Sequence, residues 1–233
     1  MKTIILENKY PVSLIKRKRN KSIRLTYSPV NGIRVTFPVW VTYSYAIRFV
    51  SSKIDFIKEN YKEYVGINED NQIGRFHRIK FIKFNDLDKL KSKVTDDTVY
   101  IKLPKELNIN DKEVQTFSKK ICTKVLRDEA ESFLPKKLIQ LSQRYNFEFQ
   151  QINIRTLKGR WGSCDTKGNI TLNMFLMQLS DELIEYVLIH ELVHTKVMSH
   201  NKLFWNHVGQ IIPNYKLIRN KLKLEQPLFG SVL

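Results

Sequence analysis

The sequence predicts an α+β protein, with a strand-rich N-terminal part followed by a helical domain that contains a small mixed sheet. Three patterns indicate this class. Short segments before residue 108 alternate apolar and polar side chains, as half-buried strands do. From Asp111 onward, apolar residues recur at helical spacing, and only short alternating segments separate the helical stretches. Because the pattern changes near residue 108, we expect a basic N-terminal part over 1–108 and a second domain over 109–233.

The N-terminal part contains the elements of a β-hairpin. Residues 22–27 and 33–38 each alternate apolar and polar side chains, and Asn31-Gly32 between them is typical of a tight turn. Apolar side chains at helical spacing then predict a helix from Val41 to about Tyr61. Two further strands are predicted, at 77–84 and 98–103.

The C-terminal part is predicted to be mainly helical. A helix covers Asp111 to about Tyr145, and Pro135 either begins a new helix or marks a kink. Ser180 is a suitable N-cap for a helix that runs to about Met198, because Asp181 and Glu182 follow it where the helix dipole favours acids. The remaining elements are a strand at 147–157, a turn at 165–169, a strand at 170–173 and a helix at 201–211.

Positive charge dominates the composition. The chain has 40 Lys and Arg residues against 23 Asp and Glu residues, a formal net charge of +17, and about half of the excess lies within residues 1–50. Such a field favours anionic partners. The densest run consists of Lys16, Arg17, Lys18, Arg19 and Lys21. This run is either a solvated strand face or an anion site that would contact nucleic-acid phosphates without reading the bases.

The rest of the composition favours a cytoplasmic protein with no membrane partner. The two cysteines, Cys122 and Cys164, do not form a disulfide framework and suit a reducing compartment. The first residues lack the apolar stretch of a secretory signal. No window of the sequence approaches the roughly 20 apolar residues of a membrane span.

One helical segment carries a metal-binding motif. Residues 190–194, His-Glu-Leu-Val-His, form an H-E-x-x-H sequence. Residues four apart share a helix face, so His190 and His194 can both reach one Zn2+ ion at about 2.0–2.1 Å. Glu191 follows the first of them and can act as general base toward a water molecule at the metal. The apolar residues around the motif indicate a buried helix and a dry site.

A catalytic zinc site needs a third protein ligand and one open position. His200 is the best candidate, because it follows His194 by six residues, the interval found in the longer H-E-x-x-H-x-x-G-x-x-H motif. Val197 stands where that motif has glycine, so we expect the chain to turn at Met198-Ser199 instead. The other side chains considered as ligands are assigned to solvated or packed positions that bind no metal. They are His77, His207 and Cys164.

Four segments together resemble one known family. They are Arg160–Cys164 with the sequence RWGSC, Asn169–Asn173, Tyr186–His194 and His200–Trp205. In combination they resemble the YgjP-like metallohydrolases, cytoplasmic proteins of the zincin clan that are related to the WLM and SprT-like proteases. The resemblance is strong over residues 150–220 and looser over residues 10–60.

The resemblance implies a zincin-like domain in which His190, His194 and His200 bind Zn2+ and Glu191 is the catalytic base. It also implies that the RWGSC segment is a strand that lines the cleft. In zincins an edge strand lies beside the active-site helix, and an extended substrate can pair with such a strand through backbone hydrogen bonds.

Three residues near that strand are candidates for substrate binding. Arg160 and Asn173 would hold an oxygen atom of the substrate, and Trp161 would contact the substrate beside them. The alternative interpretation is that Trp161 is a core aromatic residue and that Arg160 belongs to a structural ion pair.

Three functions are compatible with these observations. The first, which the motif favours, is a zinc-dependent hydrolase, a metallopeptidase that acts on a peptide or protein. The second is a metal-dependent phosphohydrolase of nucleotides or other phosphorylated small molecules; the net charge suits it, but the sequence has no P-loop and no carboxylate cluster for magnesium. The third is a DNA-associated protease of the SprT-like kind, directed by non-specific nucleic-acid binding of the basic run.

Overall fold

The computed structural model describes residues 2–28, 32–60, 66–225 and 227, and it has the α+β architecture that the sequence predicts. The chain divides into two compact units, whose main segments are Met1–Val65 and Gly66–Val232. The predicted boundary at residues 108 and 109 lies within the second unit. Among the described residues, no helix has the length and apolar character that crossing a bilayer requires.

The first unit contains a four-stranded sheet and two helices. The elements are β1 (Lys2–Leu6), β2 (Tyr10–Arg17), β3 (Arg24–Ser28), β4 (Gly32–Pro38), α1 (Tyr43–Ser51) and α2 (Ile54–Asn60). The strand order is β1-β2-β4-β3, in which β2 and β4 are parallel and the two outer pairs are antiparallel. Alternate side chains of the strands point to one face and form a core with side chains of both helices. Its buried members are Leu6, Tyr10, Val12, Leu14, Ile33, Val35, Phe37, Ala46, Val50 and Ile57.

The predicted hairpin of the first unit is confirmed, because β3 pairs antiparallel with β4 over its full length. Asn31, at the predicted tip, lies outside the described residues. The prediction of a single helix over 41–61 is wrong, because α1 and α2 are separate helices. The N–H group of Lys53 bonds to the carbonyl of Val50 at 3.1 Å, and this closure over three residues ends α1. Tyr61, the predicted last residue, lies outside the described part of the chain.

The second unit begins with a three-stranded sheet that packs on a long helix. The elements are β5 (Arg78–Phe84), β6 (Lys91–Val94), β7 (Thr98–Pro104) and α3 (Lys112–Arg144). The strand order is β5-β7-β6, with β5 parallel and β6 antiparallel to β7. Both predicted strands are confirmed, whereas β6 was not predicted, because all four of its side chains are exposed and show no apolar alternation. Pro135 lies inside one helix of 33 residues and does not begin a new one.

A buried carboxylate ties α3 to the segment before β5. The Glu129 side chain is 2% exposed and accepts the backbone N–H groups of Arg75, Phe76 and His77 at 2.7, 3.2 and 3.0 Å. The two ring nitrogens of His77 contact Glu129 Oε1 at 2.7 Å and the Thr95 carbonyl at 3.1 Å. The interpretation of His77 as a solvated side chain is therefore wrong. Its carboxylate partner lies 52 residues away in the sequence, so a local pattern does not reveal it.

We expect Glu129→Ala to lower the free energy of unfolding by about 2 kcal/mol, because three buried backbone donors would lose their acceptor. Urea unfolding followed by circular dichroism measures this change. Glu131→Ala in the same helix is the control. Glu131 is 54% exposed, and its ion pair with Arg127 is long, at 3.9 Å. Its loss should therefore lower the free energy of unfolding by less than about 0.5 kcal/mol. Equal effects of the two substitutions would contradict the role of Glu129.

The rest of the second unit combines a second small sheet with three α-helices. The elements are β8 (Gln151–Arg155), β9 (Gly162–Cys164), β10 (Asn169–Asn173), a 3₁₀ helix (Met174–Gln178), α4 (Asp181–His194), α5 (Lys202–Ile211) and α6 (Tyr215–Leu224). The strand order is β8-β10-β9, with β8 parallel and β9 antiparallel to β10. This is the small mixed sheet that the sequence predicts.

Helix α4 lies at the centre of the second unit. Leu188, Ile189, Leu192 and Val193 are fully buried, so the helix is enclosed around most of its circumference. This enclosure gives the end of α4 a fixed position in the core. The helix ends at His194, four residues earlier than the sequence predicts. Helix α6 was not predicted.

Candidate metal centre

Three imidazole rings converge at the C-terminal end of α4. Nε2 of His190 lies 3.2 Å from Nε2 of His194 and 3.0 Å from Nε2 of His200, and the last two atoms are 3.2 Å apart. Within the described ranges, these histidines are the one group of three or more His, Cys, Asp or Glu side chains that could hold an ion. The structure therefore brings together all three predicted ligands.

The chain reverses direction between the second and the third of these rings. His190 and His194 are one turn apart on α4, whereas His200 follows six residues after the helix ends. The N–H groups of Lys196 and Val197 both bond to the Val193 carbonyl, at 3.0 and 2.9 Å, and close the last turn. The reversal therefore begins before the predicted Met198-Ser199, and it uses no glycine.

Trp205 of α5 holds the third ring in place. Its indole Nε1 donates to the His200 carbonyl at 3.1 Å. Its ring stacks on the His200 imidazole, with centroids 5.6 Å apart, and on the ring of Tyr215 in α6, with centroids 5.2 Å apart. The Asn201 side chain caps α5 by accepting the N–H group of Phe204 at 3.0 Å. His200 is exposed, yet its position is fixed by these contacts.

The three nitrogens have the spacing and the chemistry of a metal site. Ligand nitrogens around a tetrahedral zinc ion, with bonds of 2.0–2.1 Å, are about 3.4 Å apart. His194 Nδ1 donates to the Val197 carbonyl at 3.2 Å, so its Nε2 presents a lone pair to the other two rings. Burial, together with the nearby rings of His194 and His200, lowers the pKa of His190 to about 3. Neutral imidazoles are the form that binds metal ions.

Glu191 is a buried carboxylate beside the three rings. It is 5% exposed, and its Oε2 atom has no hydrogen-bond partner among the residues that the structure describes. Burial raises the pKa of Glu191 to about 8, and the positive charge of Arg160 opposes this increase. A side chain with a high proton affinity and a free oxygen atom suits a general base.

Gly162 of β9 explains how Glu191 fits against the sheet. A Cβ atom at position 162 would lie 2.7 Å from Oε1, 2.8 Å from Cγ and 2.9 Å from Cδ of Glu191. A side chain at this position would force Glu191 or β9 to shift, so glycine allows the two to approach this closely. The carboxylate therefore packs directly on the backbone of the strand.

Comparison with known proteins agrees with this site. A family model described as YgjP-like, metallopeptidase domain matches residues 21–225. The chain belongs to the YgjP-like metallopeptidase family. This membership supports a metal-dependent peptidase.

Two solved structures match part of this YgjP-like chain. The crystal structure of the metallopeptidase zymogen of Pyrococcus abyssi abylysin is 28% identical and covers 40% of this chain and 97% of its own, with a TM-score of 0.37. The metallopeptidase zymogen of Methanocaldococcus jannaschii jannalysin is 23% identical and covers 39% of this chain and 93% of its own, with a TM-score of 0.35. A search of the curated proteins gives no match.

In this YgjP-like domain, β9 is an edge strand that lies beside α4, the helix that carries the H-E-x-x-H sequence. Its neighbour in the sheet is β10, and α4 packs against it. The other edge of the strand faces away from β10 and carries no partner strand among the described residues. The backbone next to Glu191 is therefore available to an extended chain.

The three candidate substrate residues occupy different environments. Asn173 is fully buried, and its Nδ2 donates to the carbonyls of Leu157 and Arg160, both at 3.0 Å, while Oδ1 accepts the N–H group of Phe175. The expected substrate contact of Asn173 is therefore corrected to the positioning of the loop that carries Arg160. The Arg160 side chain is exposed just before β9, and Trp161 is half-buried against the core.

Sequence reasoning missed part of the site. It gave Gly162 and Trp205 no role of their own, although both lie in segments that carry the family resemblance. It also missed Arg219 of α6, whose guanidinium lies 4.8 Å from the centroid of the Trp205 ring. Burial is the main cause of the lowered pKa of His200, and the positive charge of Arg219 lowers it further. The helical spacing of apolar residues in α6 was the signal that could have indicated this element.

Strand geometry separates the first two residues of the basic run. Lys16 and Arg17 are consecutive residues of β2, so their side chains point to opposite faces. Lys16 Nζ donates to the Val39 carbonyl at 3.1 Å and lies 5.2 Å from the centroid of the Tyr43 ring. The other predicted anion-binding residues are exposed: Arg17, Lys18, Arg19 and Lys21. For these four, anion binding stays a prediction.

Proposed function

We propose that this metallopeptidase is a zinc enzyme in which His190, His194 and His200 hold the ion and Glu191 is the general base. The observation that carries the proposal is the convergence of three Nε2 atoms within 3.2 Å of each other, next to a buried carboxylate. Zinc is proposed because three imidazole ligands with one open position are typical of catalytic zinc sites.

The ion, when bound, supplies Lewis acidity that polarises the scissile carbonyl and makes a water molecule acidic enough to act near neutral pH. The residues of the chain supply the rest. Glu191 takes a proton from the attacking water and returns it to the leaving amine, and both transfers require a base with a raised proton affinity. The packing of the carboxylate on Gly162 orients it for these transfers.

Binding of the substrate is proposed to use the free edge of β9. An extended peptide would add to this edge through backbone hydrogen bonds, which orients the scissile bond beside Glu191 without demanding a particular sequence. Arg160 would donate to a carbonyl or carboxylate oxygen of the peptide, and Trp161 would provide an apolar contact. Asn173 supports this arrangement, because it holds the Arg160 carbonyl from within the core.

An activity screen tests the proposal. Zinc-loaded protein is incubated with unfolded proteins and a peptide mixture, and mass spectrometry detects new termini. Cleavage that stops on chelation and returns with zinc is the expected result. A nucleotide panel runs in parallel; phosphate or pyrophosphate release without any peptide cleavage would overturn the peptidase proposal. Cleavage that requires added DNA would instead favour the DNA-associated hypothesis.

The role of Arg160 is tested by Arg160→Gln. Loss of one charge-assisted hydrogen bond to the substrate should raise KM about tenfold and leave the metal content unchanged. Lys158→Gln is the matched control, because Lys158 is an exposed cation of the same loop. Steady-state kinetics on one cleaved peptide measures KM for both variants. A KM for Arg160→Gln no different from that of the control would remove Arg160 from the substrate site.

A further inference from the structure

The β5-β7-β6 sheet has one face on α3 and one face open to solvent. Buried side chains such as Ile79, Val99 and Ile101 point toward the core of the second unit. The alternate residues point the other way, and we call this surface the basic sheet face. It consists of Arg78, Lys80, Ile82 and Phe84 of β5, Tyr100 and Lys102 of β7, and Lys91 and Lys93 of β6.

The strand register places a ring between two cations on this face. Lys80 of β5 pairs with Tyr100 of β7, and Tyr100 pairs with Lys93 of β6. Neighbouring strands are about 4.8 Å apart, so the three side chains form a row about 10 Å wide. The half-buried Tyr100 ring is therefore flanked by a lysine on each side.

The next row repeats the combination of cation and apolar side chain. Lys102 lies between Ile82 and Lys91 in the register. Its ammonium group lies 5.3 Å from the centroid of the Phe84 ring. Ile82 and Phe84 are 38% and 39% exposed, although a solvated sheet face needs no apolar side chains. The first row therefore has a half-buried ring between two lysines, and the second row has Lys102 between an apolar side chain and a lysine, with the Phe84 ring beside it.

The basic sheet face carries a charge of one sign. The three strands contain no Asp or Glu, and the face presents five cations. The nearest acids lie at its rim: Glu69 accepts the Phe81 N–H group at 3.0 Å along the outer edge of β5, and Asp97 accepts the hydroxyl of Thr98 at 2.9 Å. The electrostatic complement of this surface is a polyanion.

We infer that the basic sheet face binds single-stranded nucleic acid. Phosphates would contact the lysines and Arg78, and unpaired bases would stack on Tyr100 and Phe84, the combination that single-strand binding surfaces use. A duplex hides the faces of its bases, so the exposed rings would gain nothing from it. An anionic bilayer would meet the charges, but the apolar side chains of this face, Ile82 and Phe84, are only 38% and 39% exposed and offer little surface for insertion. This inference is independent of the peptidase proposal.

Fluorescence anisotropy with a labelled oligonucleotide of about 20 unpaired bases, between about 50 and 200 mM salt, tests the inference. The triple variant Lys80→Gln/Lys91→Gln/Lys93→Gln should bind at least tenfold more weakly and reduce the salt slope by about 2. Phe84→Ser should weaken binding about tenfold without a change in slope. The matched control is Lys112→Gln/Lys120→Gln/Lys124→Gln, which removes three exposed cations of α3 and should retain the wild-type affinity within threefold.

Several results would overturn the inference. One is no binding of the oligonucleotide by the wild type at the lowest salt; another is an equal loss in the control. Loss of binding only in Arg17→Gln/Lys18→Gln/Arg19→Gln would assign the contact to the first unit. Binding to phosphatidylserine vesicles but not to the oligonucleotide would indicate a membrane surface. If the triple variant does not fold, Lys93→Gln alone must still lower the salt slope by about 0.7.

Discussion

Glu191→Gln should lower kcat for peptide cleavage by about 10³-fold and leave the fold and the bound metal intact. The amide has nearly the same shape as the carboxylate, so it can occupy the same space against Gly162. It cannot accept a proton, however, and the attacking water would lose its general base. Rate measurements at saturating peptide, together with metal analysis of the same sample, provide the test.

The control for this substitution lies on the same helix. Glu185 of α4 is 35% exposed and forms an ion pair with Lys137 at 3.4 Å, away from the three histidines. Glu185→Gln should retain kcat within about twofold, because exposed ion pairs contribute little. If Glu191→Gln keeps more than a tenth of the wild-type rate while the metal is bound, Glu191 is not the base.

Gly162→Ala should reduce kcat by about 10²-fold, although it adds a single methyl group outside the ligand set. The new carbon atom would lie 2.7 Å from Glu191 Oε1, so the carboxylate or β9 must move. A displacement of about 1 Å in a catalytic group is sufficient for a loss of this size. Because the three histidines are untouched, zinc content should stay at the wild-type level. Peptide kinetics and metal analysis on one preparation separate the two effects.

Gly209→Ala is the matched control for the added methyl group. Gly209 lies in α5, where a Cβ atom would be 3.4 Å from the Tyr215 ring, an ordinary contact distance. Alanine favours the helical state by about 0.5–1 kcal/mol relative to glycine, so this variant should be as stable as the wild type or slightly more stable. Wild-type activity in Gly162→Ala would show that the close packing of β9 on Glu191 does not position the base.

The convergence of the three histidines could be predicted because its geometry is mostly local. The spacing of His190 and His194 fixes both rings on one helix face, whatever surrounds the helix. His200 follows from the same stretch of sequence, since six residues are enough to return the chain to the helix end. The apolar surroundings of α4 also indicated correctly that the helix is buried.

The contacts that complete the site are tertiary, and sequence patterns did not reveal them. The packing of Gly162 on Glu191 joins a strand and a helix that are far apart along the chain. The same is true of the contact of Glu129 with His77. Asn173 reads as a possible donor to substrate in the sequence, yet complete burial turns its amide toward the backbone of the preceding loop.

Charge patterns in the sequence show local runs of cations but not surfaces assembled from several strands. The run at Lys16 to Lys21 drew attention to the first unit, but strand alternation separates Lys16 from Arg17. The basic sheet face is dispersed over β5, β6 and β7, so no single stretch of sequence shows it. Only the register of the three strands brings its cations together.

Zinc binding by wild type and His200→Ala tests the central claim most directly. His200 is exposed, so its removal should leave the fold intact, which circular dichroism checks. The wild type should bind one zinc ion per chain. His200→Ala should bind zinc at least about 100-fold more weakly, because removal of only the hydrogen-bond partner of a ligand already costs about 10- to 100-fold in metal affinity. His207→Ala, which removes a histidine of α5 outside the converging set, should bind zinc as the wild type does. Equal zinc affinity of His200→Ala and the wild type would contradict a site made by three converging imidazoles.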